Sequence, residues 1–376
     1  MKIIIVTEYY YPVLGGISEH VHHTAMELNR RGHDVVLMTS NLGRLAVAPD
    51  TPTAPPPFRI VRFGHSIPVR SNGSVARVTI GVDLCHAMRQ FMLAEQPDIV
   101  HVHSPLVLTL PMIGVRVAPS PVVGTYHSYF DGNAIYKRFS GLVQKQFVDR
   151  LNGQIAVSQS CVRALTPYFT LDARIIPNGI DLDKFSPHAP RLEKFDRSKL
   201  NLLFLSRLEP RNGLNLMIDA FIRIRRSFRD VRLIVVGDGR PRRRYERMVP
   251  PDLAADVHFE GRVLETRPSY YSTSDIYCAP ISKASFGMTL IEAMATGKPI
   301  VATDNDGYRD LLGPEESVLI PTGDVRAFAD ATLALLRDEP RRKAMGVAGL
   351  EKAQRFSWPL VVDQIVALYE ELIARR

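Results

Sequence analysis

Residues 3–39 read IIIVTEYYYPVLGGISEHVHHTAMELNRRGHDVVLMT, and this stretch decides the fold class. The run from Ile3 to Thr7 is almost wholly apolar, as in a parallel strand that is covered on both faces. A loop with two glycines follows, then a helix over about 17–31, which Gly32 ends, and a second apolar run over 34–39. A strand, a helix and a strand in this order predict βα repeats and hence an open parallel sheet.

The same alternation continues to the end of the chain. In the first half we expect further strands at 58–63, 99–103, 122–126 and 154–157. A second series begins after a polar, proline-containing stretch at 186–199, with strands expected at 202–206, 232–237, 257–260, 276–280, 299–303 and 317–320. Ligands in such sheets bind beyond the carboxyl ends of the strands. We therefore expect an α/β protein with two Rossmann-like, doubly wound domains, 1–182 and 183–358, with a linker near 180–199, a ligand cleft between them, and a C-terminal helix, 359–376, that packs back on the first.

Composition excludes several classes of protein. The 376 residues are 45% hydrophobic and 23% charged, which are globular values and exclude a disordered or fibrous chain. The net charge of +8 permits a phosphorylated ligand, an anionic membrane surface or nucleic acid. Nucleic acid is disfavoured, because only residues 240–247 are dense in basic side chains and no recognition motif accompanies them. Three widely spaced cysteines indicate reduced core thiols in a cytoplasmic protein, and no stretch is long and apolar enough to span a bilayer.

Two segments of the second half are candidate anion sites. The stretch from Ser206 to Gly213 follows the first strand of that half and carries Arg207 and Arg211, which could also be surface arginines on a turn. The stretch 285–295 opens a helix, whose free N–H donors and partial positive charge suit a diphosphate. Glu292, one turn further along, could accept hydrogen bonds from the two hydroxyls of a ribose, although a glutamate on such a helix is usually solvated.

The loop of Gly15 and Gly16 could likewise bring its backbone close to an anion. An ordinary tight turn is the alternative for this pair. The loop lacks the Gly-x-Gly-x-x-Gly fingerprint of dinucleotide-binding proteins, so a nicotinamide enzyme is disfavoured.

Together these segments resemble glycosyltransferase family 4, the retaining sugar-nucleotide transferases with two Rossmann-like domains (GT-B). The resemblance covers nearly the whole chain, and it includes Tyr11-Pro12, Gly15-Gly16 with His20, Pro97 to His103, Pro177 to Asp181, Arg207 to Gly213, Ser285 to Ala295 and Phe356 to Trp358. A narrower resemblance, carried by Ile67-Pro68 and Asn72 to Arg77, is to the phosphatidylinositol mannosyltransferases.

The resemblance implies a role for each matching residue. His127 would lie beside the reacting carbon of the sugar, and Arg207 would hold the diphosphate, so these two are the expected catalytic residues. Further donor contacts would come from Gly15, Gly16, Arg211, Phe286, Gly287 and Met288. Arg262 and Val263 would lie near the base, and Glu292 would bind the ribose. The expected acceptor side comprises Tyr11, His20, Asn72, Ser74 and Arg77.

The resemblance also implies that no metal or other cofactor is needed, because cationic side chains and a helix terminus can neutralise the leaving diphosphate. His20, His22 and His23 lie close in sequence, but on a helix His22 points away from the other two, with His20 expected to face the cleft and His22 the solvent. Asp181 and Asp183 lie in a turn between the domains, where a structural role is expected.

Two positions depart from the family pattern. Asn212 stands where a lysine is usual, which removes one cation from the diphosphate site, and Arg211 could replace it. Ala284 stands where a glutamate usually contacts the sugar, and losing one charge-assisted hydrogen bond costs about 1.5–3 kcal/mol. The alternative to an active enzyme is therefore a weak or inactive homologue that still binds sugar nucleotides.

The expected activity is a metal-independent hexosyl transfer with retention of the anomeric configuration. The donor is a nucleotide-diphosphate sugar, with GDP-mannose favoured and UDP-sugars next, and the acceptor is a hydroxyl of a glycan or lipid. Arg70 and Arg77 flank a turn that resembles the segment with which the mannosyltransferases bind a phospholipid headgroup. This resemblance implies peripheral contact with anionic lipid at the inner face of the plasma membrane. A solvated loop is the alternative.

Overall fold

The computed structural model describes residues 1–13, 15–43, 55–71, 74–128 and 134–375. The chain forms two compact units. Unit 1 comprises Met1–Gly179 and Trp358–Arg376, and unit 2 comprises Ile180–Ser357. The sequence placed the corresponding boundaries at 182/183 and 358/359.

Unit 1 is built on a seven-stranded parallel sheet and a separate antiparallel hairpin. Its strands are β1 (Lys2–Val6), β2 (Asp34–Ser40), β3 (Arg59–Phe63), the hairpin strands β4 (His65–Ser71) and β5 (Ser74–Ile80), β6 (Ile99–His103), β7 (Val122–Tyr126), β8 (Gly153–Ala156) and β9 (Ala173–Ile175). The first five helices are α1 (Gly16–Arg30), α2 (Leu84–Glu95), α3 (Leu110–Val117), α4 (Ala134–Gln146) and α5 (Gln159–Leu165). The sheet order is β3-β2-β1-β6-β7-β8-β9, so the direction of winding reverses between β1 and β6. Loops that leave the carboxyl ends of strands at such a reversal form the usual ligand site.

Unit 2 is a six-stranded parallel sheet with the order β12-β11-β10-β13-β14-β15. Its strands are β10 (Leu200–Leu205), β11 (Val231–Val236), β12 (Val257–Gly261), β13 (Ile276–Ala279), β14 (Ile300–Asp304) and β15 (Ser317–Pro321). Its helices are α6 (Leu214–Ser227), α7 (Arg242–Met248), α8 (Arg267–Thr273), α9 (Met288–Ala295), α10 (Asp306–Leu311), α11 (Val325–Arg337) and α12 (Glu339–Ala353). The winding reverses between β10 and β13, whose following loops carry Arg207 and Gly287.

The last helix, α13 (Trp358–Ala374), belongs to unit 1. Its buried face includes Val361, Ile365 and Tyr369, which join the apolar core formed by β1 and α1. Helical spacing of these residues explains why one face of α13 is apolar and the other exposed. The continuous apolar run of β1 is fully buried, as expected for a central parallel strand.

Several expectations were wrong in detail. The segment expected as a linker, 180–199, packs into unit 2, where Phe185 and Phe195 are buried. Cys161 and Cys278 are buried, but Cys85 is exposed, because it lies on the outer side of α2. The β4–β5 hairpin and helix α12 were not foreseen. Among the described residues, no helix combines the length and hydropathy needed to cross a membrane.

Candidate functional site

A cluster of buried histidines lies at the winding reversal of unit 1. His103 ends β6 and His127 follows β7, so both lie at the carboxyl edge of the sheet. Nδ1 of His103 is 2.9 Å from Nε2 of His127. His20 comes from α1 and meets both rings edge-on, with centroid distances of 5.4 Å to His103 and 4.9 Å to His127. His20 was expected at the cleft, and at 1% exposure it is a core residue of unit 1.

Burial keeps these imidazoles neutral. It lowers the pKa of His20 to about 4, an effect that the side chain of Asn178 opposes, and it lowers the pKa of His127 well below its usual value. Within the described residues, neither ring nitrogen of His20 makes a hydrogen bond of normal geometry, and Nε2 of His103 also has no partner. Neutral imidazoles can donate or accept a hydrogen bond, so the cluster can orient a polar ligand without carrying charge.

The same three histidines could hold a metal ion. One ligand nitrogen from each of His20, His103 and His127 lies within 4.8 Å of the other two. Neutral imidazole is a common ligand of zinc and related ions. Sequence analysis had considered His20, His22 and His23 instead. His22 was expected to face solvent, but it is half-buried and its Nδ1 lies 2.9 Å from the hydroxyl of Tyr10.

Asp181 has the structural role that the sequence favoured for the pair Asp181 and Asp183. Oδ1 of Asp181 accepts hydrogen bonds from the backbone N–H groups of Asp183 and Lys184, at 3.0 and 2.9 Å. This pattern closes a turn, because a short carboxylate can bond the backbone two and three residues ahead.

The expected donor residues Gly15 and Gly16 and the expected acceptor residue Tyr11 lie near the start of α1. Gly15 is the N-cap residue of α1, it is exposed, and an added side chain there would meet no atom within 4 Å. Tyr11 is half-buried beside His22, with ring centroids 5.1 Å apart. Gly16 begins α1 and is also exposed. The backbone of this loop is therefore accessible to a ligand.

The hairpin fixes the position of Arg77 by register and by hydrogen bonds. Arg77 pairs in register with Pro68, its backbone N–H donates to the Tyr9 hydroxyl, and its Nη1 donates to Ser66 Oγ at 3.3 Å. Ser74 begins β5, and Asn72 lies outside the described residues.

A buried carboxylate fastens the hairpin to the sheet. Glu8, 1% exposed, accepts a hydrogen bond from Thr79 of β5 and from the backbone N–H groups of Thr109 and Leu110 at the start of α3. Burial raises the pKa of Glu8, and these hydrogen bonds oppose the shift. Sequence analysis missed Glu8, because only the fold brings β5 and α3 to the end of β1.

Two arginines share one carboxylate at the carboxyl end of β10 in unit 2. Nη1 of Arg207 lies 3.0 Å from Oε1 of Glu209, and Nε of Arg211 lies 3.0 Å from Oε2. Both guanidinium groups remain well exposed, at 60% and 41%. They are therefore close to each other and accessible, although the sequence did not reveal that Glu209 joins them.

Asn212 has a structural role in that loop. It is 6% exposed, and its Nδ2 donates to the backbone carbonyl of Arg207 at 2.7 Å. The amide side chain therefore fixes the backbone that presents Arg207. It does not supply a cation, whereas Arg211, the proposed substitute, lies on the same carboxylate as Arg207.

The loop before α9 has the geometry of a helix N-terminal anion site. Gly287 caps α9 with φ 127°, a conformation that favours glycine, and Met288 is the first helical residue. Phe286 is 6% exposed, so its side chain packs inward while the backbone continues to the helix. Ala284 lies in the same loop, where its carbonyl oxygen would be 2.3 Å from a Cβ at Gly307. Glycine at 307 therefore permits the close approach of this loop to α10.

Glu292 is buried and bonded within unit 2. Its exposure is 2%, Oε1 accepts from Nη1 of Arg267 at 3.0 Å, and Oε2 accepts from the hydroxyl of Tyr271 at 2.8 Å. The alternative considered for Glu292, a solvated glutamate on a helix surface, does not apply, because the side chain is buried. The two contacts fix the orientation of the carboxylate within unit 2. Arg262 is exposed and Val263 half-buried just after β12, on the same edge of the sheet.

Comparison with known proteins agrees with both halves of this arrangement. Residues 14–184 match the model of Glycosyltransferase Family 4, and residues 199–338 match that of Glycosyl transferases group 1. The chain is 34% identical to a phosphatidyl-myo-inositol mannosyltransferase of Mycobacterium leprae, over 98% of this chain and 96% of that one. It is 27% identical to a GDP-mannose-dependent alpha-mannosyltransferase of Mycolicibacterium smegmatis, over 100% and 99%.

The fold is similarly matched among solved structures. Sucrose-phosphate synthase from Thermosynechococcus elongatus superposes with a TM-score of 0.79 at 21% identity, covering 100% of both chains. The two Rossmann-like units are those of the GT-B fold, and the chain is a glycosyltransferase. With a relative of 34% identity matched over almost its full length, this chain belongs to glycosyltransferase family 4.

Proposed function

We propose that the protein transfers a mannosyl group from GDP-mannose to a hydroxyl of an anionic lipid, with retention of configuration and without a metal ion. The observation that carries the proposal is the pair Arg207 and Arg211 on one carboxylate, exposed at the carboxyl end of β10. Two guanidinium groups held on one carboxylate suit the oxygens of a diphosphate, because each planar fork can donate two hydrogen bonds. Similarity to mannosyltransferases supports mannose as the sugar.

The donor would bind to unit 2 along the carboxyl edge of its sheet. Arg207 and Arg211 would hold the diphosphate, and the backbone of Gly287 and Met288 would donate to it at the N-terminus of α9. Glu292, fixed by Arg267 and Tyr271, would accept from the ribose. Residues 262–263 would lie beside the base.

The chemical step would take place on one face of the sugar. The bond between the anomeric carbon and the diphosphate oxygen breaks, the acceptor oxygen bonds to that carbon from the same side, and the acceptor proton passes to the leaving phosphate oxygen. The protein then contributes orientation and stabilisation of the developing negative charge. His127, neutral and hydrogen-bonded to His103, would orient the sugar.

The acceptor would bind at the hairpin of unit 1. Arg77 supplies a cation, and the apolar side chains of Ile67, Val69 and Ile80 are 38%, 40% and 50% exposed on the same two strands. A surface with a cation and exposed apolar side chains suits an anionic lipid at a membrane surface. The proposed location is accordingly the cytoplasm, at the inner face of the plasma membrane.

The donor is tested by a thermal-shift screen of GDP, UDP, ADP and their sugars. A ligand that binds the native state raises the melting temperature in proportion to the logarithm of its saturation. We expect GDP and GDP-mannose to give the largest shifts, and we expect EDTA to leave transfer from GDP-mannose to phosphatidylinositol unchanged. A larger shift with a uridine nucleotide, or loss of transfer with EDTA, contradicts the proposal.

The diphosphate anchor is tested by Arg207→Ala. We expect transfer to fall by about a hundredfold or more, because the lost cation stabilises charge that develops in the transition state. Arg326→Ala is the control. It removes the same charge as Arg207→Ala, and Arg326 lies on α11 with its side chain 84% exposed. Near-normal turnover in Arg207→Ala, with the melting temperature unchanged in both variants, would remove the anchor from the mechanism.

A second candidate is a homologue that binds sugar nucleotides but transfers them slowly or not at all. Ala284 and the buried Asn212 favour it, since neither supplies the charged group usual at its position. Calorimetry and a product assay on the same preparation separate the two candidates. Binding of GDP-mannose without transfer or hydrolysis would establish the second.

A further inference from the structure

A polar cavity opens in unit 2, at the edge of its sheet opposite to the proposed donor residues. Its volume is about 390 Å³, and it lies beside Leu200, Asp275 and Pro299, which begin or immediately precede strands β10, β13 and β14. Arg207 follows the other end of β10. At about 3.3 Å per residue, the six residues of β10 separate the two places by roughly 20 Å. The cavity is therefore distinct from the donor site.

The cavity lining is strongly cationic. It carries six cations against the two carboxylates of Asp275 and Glu339, and those cations are Arg191, Arg197, Lys199, Lys298, Arg342 and Lys343. The excess of four positive charges is half of the net charge of the whole chain, which is +8. Like charges at this density repel one another, so an anion that enters the cavity is attracted by all of them.

Two of these cations donate hydrogen bonds to backbone carbonyls rather than to a carboxylate. Arg191 donates to the backbone carbonyls of Ser272 and Thr273 at the end of α8, at 2.8 and 2.9 Å, and Lys298 donates to the carbonyl of Ser272 at 3.1 Å. Carbonyl dipoles at a helix C-terminus offset part of a positive charge, but less than a carboxylate does. Arg197 makes no hydrogen bond or ion pair to any described residue.

The remaining three cations of the cavity contact either backbone carbonyls or carboxylates. Arg342 donates to the carbonyls of Leu335 and Leu336 near the end of α11. Lys199 pairs with Asp256, which also accepts from Arg225, and Lys343 pairs with Glu339. Burial, together with the nearby charge of Arg191, lowers the pKa of Lys298 to about 8, although Asp275 opposes the shift. Two of the six cations are thus paired with a carboxylate, and the lining as a whole keeps an excess of positive charge.

We infer that this cavity binds a small soluble compound that carries phosphate groups with at least two negative charges. Its volume lies within the usual range for small-molecule sites, roughly 300–1,000 Å³. Three of the six cations are arginines, whose planar groups suit phosphate oxygens. The cavity is concave and mostly polar, which fits a soluble anion better than a membrane surface, where exposed apolar side chains would be needed.

Calorimetry with sodium tripolyphosphate tests the inference on the full chain at low ionic strength. The test variant is Arg197→Gln/Lys298→Gln, and the matched control is Arg226→Gln/Arg326→Gln, which removes two exposed charges elsewhere in unit 2. We expect the dissociation constant to rise at least tenfold in the test variant and less than twofold in the control. Equal weakening in both variants would mean nonspecific attraction and would overturn the inference.

Two further arms identify the site and the source of the anion. The variant Arg207→Ala distinguishes the cavity from the donor site. We expect Arg207→Ala to bind tripolyphosphate, and we expect adding Arg197→Gln and Lys298→Gln to weaken that binding. Loss of all tripolyphosphate binding in Arg207→Ala would overturn the inference. Vesicles that contain phosphatidylglycerol test whether the bound anion is a lipid headgroup. If the protein binds these vesicles through Arg197 but does not bind tripolyphosphate, the inference is also overturned. If Lys298→Gln prevents folding, single Arg197→Gln is used, since it breaks no described contact.

Discussion

Nδ1 of His103 and Nε2 of His127 are 2.9 Å apart, and one of them donates to the other. This hydrogen bond fixes the ring orientation of His127 and decides which of its nitrogens carries the proton. The ring of His101 stacks on that of His103, with centroids 4.3 Å apart. His101 is itself hydrogen-bonded to the hydroxyls of Tyr369 and Thr125. His103 is thus a positioning residue, supported by the core of unit 1, for the proposed catalytic His127.

Replacing His103 should impair the chemical step more than donor binding. In His103→Leu we expect kcat to fall by about tenfold to a hundredfold, because His127 loses its orientation. His103→Asn places an amide near the position of Nδ1 and should recover most of the rate. Steady-state kinetics checks both variants. Unchanged kcat in His103→Leu, or equal loss in both, would contradict the positioning role.

Gly179 should not tolerate even one additional carbon. A Cβ there would lie 2.4 Å from two ring atoms of Trp358, the first residue of α13. The indole also stacks on His23 and contacts His20, so it has little room to move. We expect Gly179→Ala to lower the free energy of unfolding by about 1–3 kcal/mol. Urea denaturation measures it, with Gly141→Ala as the control because its Cβ would meet no atom within 4 Å. Equal stability of the two variants would be the contrary result.

The buried histidines should make stability depend on pH. The folded-state pKa of His20 is lowered to about 4 and that of His101 to about 3, whereas an unfolded histidine titrates near 6.5. The unfolded chain therefore binds more protons below pH 6.5, and stability falls as the pH falls. From pH 7 to pH 5 each such histidine should cost up to about 2 kcal/mol.

Denaturant titrations between pH 7 and pH 5 measure this slope. His20→Gln should reduce it, whereas His86→Gln, on the exposed side of α2, should leave it unchanged. A slope that is the same in all three proteins would show that His20 does not titrate as described.

Glu292 should contribute to both stability and nucleotide binding. Glu292→Gln leaves Arg267 without its buried ionic partner, and we expect a loss of about 3–5 kcal/mol. Glu316→Gln is the matched control, since Glu316 is equally buried in unit 2 and pairs with Lys352 at 2.6 Å. Both variants should be destabilised, but only Glu292→Gln should weaken nucleotide binding, as measured by calorimetry. Equal nucleotide affinity in the two variants would exclude the ribose contact.

Most of the parallel strands could be predicted from the sequence, because each is a short apolar run between turn residues, whereas the three-residue β9 was not predicted. β1 and β10 were located to within two residues. The hairpin β4–β5 could not be predicted, because the apolar side chains Ile67, Val69 and Ile80 are exposed and do not mark a buried face. The contacts that build the site were also hidden: Glu209, Arg267 and Tyr271 are common residue types, and only the fold brings them to Arg207 and Glu292. The family resemblance predicted Arg207 and Glu292 as site residues, but it did not predict the side chains that contact them.

The return of α13 to unit 1 has a consequence for how the protein is made. The core around β1 includes Ile365 and Tyr369, which leave the ribosome only after all of residues 180–357. At about 5–20 residues per second, the amino-terminal half waits roughly 10–40 seconds for this missing piece of its interior. During that time the surface of unit 1 that α13 covers lacks its partner helix, while the intervening unit is already complete in sequence. The unit that begins the chain is therefore the last whose sequence is completed.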